Sequence, residues 1–160
     1  MTSKEQILQS IRNNNVVVDT ELPSYKTISE LYPEEKQVAS NVDGFTLGNF
    51  NPNEQDDPHN LKDIDLAVVK GDIAISENGA VWLNNPKNRL RSLYFIAQNI
   101  VIVVDKKNIV HNMHEAYEQI NFDESTYGVF VSGPSKTADI EQSLVIGAHG
   151  PKSGYVIFID

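Results

Sequence analysis

The residues best equipped for chemistry gather in the last third of the chain. The stretch Val129-Phe130-Val131-Ser132-Gly133-Pro134-Ser135-Lys136-Thr137-Ala138-Asp139-Ile140-Glu141 reads as a strand, a Gly-Pro turn and the opening of a short helix over Lys136–Gln142. The first turn of a helix leaves backbone N–H groups without partners, and Ser132, Ser135, Lys136 and Thr137 can join them around a carboxylate or phosphate. Asp139 and Glu141 compete for the same positive helix end. On local physics alone the turn therefore reads first as a capped junction in which Ser135 or Thr137 satisfies the backbone.

A second turn, Gly147-Ala148-His149-Gly150-Pro151, follows an apolar run at Leu144–Ile146. Gly147 and Gly150 let the backbone come close to a neighbour or ligand, and His149 is either a base or a hydrogen-bonded structural residue. If the two strands are parallel neighbours, both turns lie outside their carboxyl ends, where open α/β sheets bind ligands. The third candidate is Ser76-Glu77-Asn78-Gly79. Asn-Gly favours a tight hairpin between Ile73–Ser76 and Ala80–Leu83, and Glu77 at its tip is either a solvated carboxylate or a nucleophile or general base.

Other patterns exclude more than they offer. Gly147, Gly150 and Gly154 fit neither the dinucleotide fingerprint nor the Walker A pattern. His111 and His114 fall off the apolar face of their predicted helix, and Asp56, Asp57, His59 and Asp63 sit in a Pro-flanked loop of the kind that is usually solvated. The chain of 160 residues has no cysteine, which removes disulfides, thiolate catalysis, Cys–zinc sites and ligation of an iron–sulfur cluster by this chain. No cofactor is expected on it. A net charge of −9 argues against a nucleic-acid partner. No apolar run approaches the roughly 18–20 residues needed to span a bilayer and the N-terminus opens no apolar leader, so the expected location is the cytoplasm.

These candidates must be positioned by a sheet. Short β-rich runs at Leu66–Val69, Ile73–Ser76, Ala80–Leu83, Ile100–Val104, Gly128–Val131, Leu144–Ile146 and Tyr155–Ile159 alternate with helical patterns over Pro86–Gln98 and Asn108–Ile120. The first three are close enough for a meander. Residues 3–13 read as a capped helix, Ser3 and Gln6 forming the box, whereas 16–63 is broken by Pro23, Pro33, Pro52 and Pro58. The expectation is one α/β domain over 1–160, with a helix in 1–15, an irregular 16–63 and an α/β core in 64–160, built on a mostly parallel central sheet.

The run Ser132–Glu141 followed by Gly147-Ala148-His149-Gly150-Pro151 resembles the C-terminal signature of LUD-domain proteins of the LutC/YkgG lactate-utilisation type. The opening Ser3–Leu8 with Ile11-Arg12, and Ile73–Gly79 with Arg89-Leu90 and Ser92-Leu93, resemble that family's first helix and middle. The resemblance implies the Rossmann-like three-layer sandwich of the NagB/RpiA/CoA-transferase superfamily. Together with the missing cysteine, it points to a non-redox accessory or small-anion-binding component of organic-acid (lactate) metabolism, working beside an iron–sulfur protein and binding a small carboxylate or phosphate ester; a homo-oligomer is compatible with this reading but does not follow from it. The ligand-binding residues would be Ser132, Gly133, Ser135, Lys136, Thr137, Asp139, Glu141, Gly147 and Gly150, with His149 close by. Lys136 stands where the family has Arg, Asn99 stands near a frequent His, and the chain is shorter than usual in 16–63. Separately, Ser76-Glu77-Asn78-Gly79 is similar to the tetrapeptide of family I CoA-transferases, whose Glu forms a thioester, which implies acyl transfer with Glu77 as nucleophile.

Overall fold

The computed structural model describes residues 28, 30–32, 37–45, 48–84, 90–122, 127–134, 136–138, 144–146 and 149–160. Its central sheet takes the strand order β1-β2-β5-β10, where β1 is Val38–Ser40, β2 Leu66–Lys70, β5 Asn99–Asp105 and β10 Ser153–Ile159. All three pairings are parallel, with β5 the hub, Val68 and Tyr155 both opposite Val101. A second sheet of order β6-β3-β4-β7 joins β6 (Ile109–Val110) parallel to β3 (Ile73–Ile75), with β4 (Val81–Leu83) and β7 (Val129–Val131) antiparallel. The α/β class with a mostly parallel central sheet therefore holds, and the layer over one face of that sheet is itself a sheet.

Period-two alternation explains this layering, because successive side chains of a strand point to opposite faces. Ala67 and Val69 of β2, with Ile100, Ile102 and Val104 of β5, meet Ala74, Val81 and Leu83 of the second sheet in the main core. Leu66, Val68, Val101 and Val103 point the other way, under Ile28 and Tyr32. The outer face of the second sheet, Ile73, Ile75 and Trp82, is covered by Ala116 and Met113 of α2 (Met113–Gln119) and by Ile120. β2 and β5 are buried on both faces, which is why they read as unbroken apolar runs.

Several expectations are corrected. The meander fails because the chain changes sheet at Gly71: β2 lies in the central sheet and β3 in the second. The helix over Lys136–Gln142 gives way to β8 (Lys136–Ala138), paired antiparallel with β9 (Leu144–Ile146), so that the turn before β8 is not a helix start. β7 and β9 are consequently not parallel neighbours, since β7 lies against β4 and β9 against β8. The helical pattern of 108–120 is divided, Ile109-Val110 forming an edge strand before α2, and within 86–98 the described helix is α1, Leu93–Ile96. The region read as irregular contributes β1, whose residue Ala39 bridges Phe50. The helix expected at 3–13 lies outside the described residues.

Two residues at sheet junctions yield tests. A Cβ on Gly128 would lie 1.9 Å from Cζ2 of Trp82, so the indole requires a glycine beneath it. Gly128→Ala should destabilise the chain by about 1–3 kcal/mol through overpacking, read by urea denaturation with the single tryptophan as reporter; an unchanged midpoint and spectrum would refute the contact. Asp72 follows Gly71 and accepts from the Asn84 N–H at 2.8 Å. Burial pushes its carboxyl above the ordinary value, with the Asn84 hydrogen bond and the Lys70 charge opposing. A group that holds its proton more tightly when folded stabilises fully below its unfolded pKa and loses that contribution as pH rises through the folded value. Asp72→Asn should accordingly raise Tm near pH 7 relative to the parent chain and bring little gain in acid; calorimetry showing a loss at pH 7 would reverse the argument.

Candidate functional site

The candidate site begins with the hairpin between β3 and β4. Gly79 adopts φ +69°, where a side chain would be strained, and its N–H closes the turn on the Ile75 carbonyl at 2.9 Å. Asn78 caps the turn by accepting from the Ala80 N–H at 3.0 Å. Two neighbours then fix the loop. On one side Ser76 N–H and Glu77 N–H donate to the carbonyls of Val110 and His111, at 2.9 and 3.0 Å, and the Ser76 hydroxyl reaches the same two carbonyls. On the other side the Ser132 hydroxyl donates to the Asn78 carbonyl at 3.0 Å.

Glu77 is exposed, and its Oε2 accepts from the Met113 N–H at 3.3 Å, at the first residue of α2. That helix start is also capped by Asn112, whose Oδ1 accepts from the Glu115 N–H at 3.0 Å, while Glu115 returns to the His111 N–H and the Asn112 amide. A carboxylate there offsets the positive end of the helix. Glu77 thus has a structural task beside any chemical one.

Ser132 and Gly133 form an exposed turn after β7, and Gly133 takes φ +71°. This turn also reaches the central sheet: a Cβ on Gly154, in β10, would lie 3.7 Å from the Pro134 nitrogen and 3.8 Å from the Gly133 carbonyl carbon. His149 is exposed and Gly150 half-buried on the segment leading into β10, where Lys152 N–H donates to the Gln98 carbonyl at 2.7 Å. The segments 76–79, 132–134 and 149–154 therefore form a series across one end of the two sheets. Glu77 and Ser132 share the hairpin turn directly; His149 adjoins the series through the chain at Gly154. Lys136 and Thr137 lie in the β8 backbone, and Ser135, Asp139, Glu141 and Gly147 lie outside the described residues.

Sequence reasoning missed a chain of hydrogen bonds at the same end. Ser153 donates to Asn99 Oδ1 at 2.7 Å, which leaves its oxygen to accept from the Tyr32 hydroxyl, also at 2.7 Å. The Asn99 amide donates in turn to the Asp65 carbonyl at 3.1 Å. Asn99 carried a signal as a departure from a resembled pattern; Tyr32 lies in the Pro-broken region and carried none. The Ser92 hydroxyl, just before α1, is buried with no hydrogen-bond partner among the described residues. Asp57, in the acidic loop, accepts from both the backbone N–H and the ring Nδ1 of His59, which lowers its pKa. No group of three metal-ligating side chains forms among the described residues.

The family model of the LUD domain matches residues 3–159. The chain belongs to the LUD domain family. Lactate utilization protein C of Oceanobacillus iheyensis is 34% identical over 103 residues, covering 60% of this chain and 44% of that protein. The Bacillus pumilus protein of the same name is 33% identical over 59% of this chain and 42% of its own length. That of Geobacillus sp. WCH70 is 33% identical over 71% and 55%. The LUD domain described here thus matches about half the length of these relatives. A crystal structure of a DUF162 family protein from Deinococcus radiodurans superposes with a TM-score of 0.71 at 20% identity, covering all of both chains, which supports the fold. Among the described residues no helix is long and apolar enough to cross a membrane.

The hydrogen bond from Met113 N–H gives Glu77 a measurable structural share. Glu77→Ala should cost about 0.3–1 kcal/mol of stability, and Glu77→Gln, which keeps an acceptor without the charge, should cost less. Equal stability of all three proteins by chemical denaturation would remove the helix-start role.

Proposed function

We propose that this LUD domain is a non-redox component of lactate or related organic-acid metabolism that binds a small carboxylate or phosphate ester. The observation that carries the proposal is the Ser132 hydroxyl on the Asn78 carbonyl, which ties the 132–134 turn to the 76–79 hairpin while Pro134 lies over Gly154. Support comes from the family and from relatives named lactate utilization protein C. In this reading any iron–sulfur redox step falls to a partner, because these 160 residues carry no cysteine ligand. The ligand would be gathered by Ser132, Gly133, Ser135, Lys136, Thr137, Gly147 and Gly150, with His149 beside it and Asp139 and Glu141 tuning the charge.

Isothermal titration with lactate and with glycerol 3-phosphate tests this. Saturable heat with either, weakened at least several-fold in Lys136→Ala and in Ser132→Ala, is the expected result. No heat with any small carboxylate or phosphate ester, together with no co-purifying iron–sulfur protein, would end the proposal.

Acyl transfer at Glu77 is a second reading, favoured by the exposure of this carboxylate at the hairpin tip, with Met113 N–H its one hydrogen-bond donor among the described residues. It requires an adduct at Glu77, trappable by hydroxylamine after incubation with acyl-CoA and absent in Glu77→Gln. Mass spectrometry finding none over a panel of acyl-CoAs would remove it.

A further inference from the structure

Edge strands invite pairing with other chains, and natural proteins keep them short, charged, proline-bearing or covered. Three of the four edges of the two main sheets obey this rule. β6 has two residues and β7 three. β1 has three and is covered on its outer side, where Asn49 and Phe50 N–H groups donate to the Val38 carbonyl. β10 is the exception: it runs seven residues, Ser-Gly-Tyr-Val-Ile-Phe-Ile, without a charge, proline or interruption of its register, and among the described residues it pairs only with β5.

The direction of its free groups follows from the ladder. Asn99 N–H donates to the Asp65 carbonyl and Val103 accepts from Gly71 N–H, so the odd residues of β5 face β2 and its even residues face β10. Gln98, just before the strand, divides its bonds, donating to the Ile64 carbonyl on the β2 side and accepting from Lys152 N–H on the β10 side. With Gly154 opposite Ile100 in a parallel pair, residues 153, 155, 157 and 159 bond β5. Gly154, Val156 and Phe158 turn their N–H and C=O groups outward.

We propose that this edge pairs with β10 of a second copy, antiparallel about a two-fold axis at Val156. In that register Val156 opposes Val156 of the other copy and Gly154 opposes Phe158, so every outward N–H meets a carbonyl. The side chains are self-complementary as well. Tyr155, 45% exposed, lies opposite Ile157, an aromatic and β-branched pair. Exposed Lys152 falls opposite exposed Asp160, whose carboxylate already attracts Lys106 at 2.6 Å. A two-fold axis repeats each of these contacts, placing opposite charges at both ends of the paired strands.

The cysteine-free sequence permits a clean test. Sedimentation velocity of the unaltered chain should find a dimer. Val156→Cys should form an intermolecular disulfide under mild oxidation, because directly opposed residues lie within its span. Tyr155→Cys, equally able to collide in solution but diagonal to its own copy, should not. Lys152→Glu should weaken dimerisation several-fold, and Lys152→Glu with Asp160→Lys should restore it; this pair decides the question if Val156→Cys folds poorly by circular dichroism. A monomer at high micromolar concentration overturns the proposal. So does a dimer in which a folded Val156→Cys does not cross-link, or cross-links no faster than Tyr155→Cys.

Discussion

The two sheets pack face to face because the chain crosses between them at a residue with no side chain. A Cβ on Gly71 would lie 2.5 Å from Val81, 2.8 Å from Val104 and 2.9 Å from Ile102, atoms belonging to both sheets. Its N–H completes the central ladder on the Val103 carbonyl, and the next N–H, of Asp72, starts the second sheet on the Trp82 carbonyl. Within two residues the backbone changes sheet with both N–H groups paired. The main core, including Ala67, Val69, Ala74, Val81, Ile102 and Val104, exists because that crossing is tight.

The crossing also determines where the candidate site can be. With β3 started in the second sheet, the 76–79 hairpin falls at the end where β7 also terminates, since β4 is antiparallel to both. Ser132 can then reach Asn78, and the turn that follows can lie against Gly154 at the start of β10. The candidate segments come from both sheets, so their spacing depends on the inter-sheet packing. Asp72 belongs to the same junction but lies at the opposite end of β3 from the hairpin. Its half-buried carboxyl, held by Asn84 N–H, anchors the exit of β4 and not the candidate site.

Much of this was legible in local pattern. Strand positions from Leu66 onward were readable because β-branched runs such as Ile100–Val104 have few other folds open to them, and Asn78-Gly79 names its own turn. Pairing was not legible where it depends on distant residues. The sequence around Gly71 looks like a hairpin connection, and only the packing demand of Val81, Val104 and Ile102 makes it a change of sheet. Lys136-Thr137-Ala138 follows a Gly-Pro turn and resembles a capped helix start, yet its backbone pairs with Leu144–Ile146, which no helical periodicity could reveal. β1 was hidden among prolines, and its stability comes from β2 and from the segment 49–50.

Asn99 shows how a departure from a family pattern acquires physical meaning. The LUD-domain resemblance puts a frequent histidine near this position. Here the amide joins three elements: it accepts from Ser153 at the start of β10, donates to the Asp65 carbonyl before β2, and lies one hydroxyl away from Tyr32. An imidazole could also accept and donate, but protonation would convert its acceptor into a donor and reverse the direction of the hydrogen bonds through Ser153 to Tyr32. An amide has no such transition in the physiological range. In this LUD domain the position therefore acts as a clamp between the central strands whose hydrogen-bond pattern does not change with pH in the physiological range.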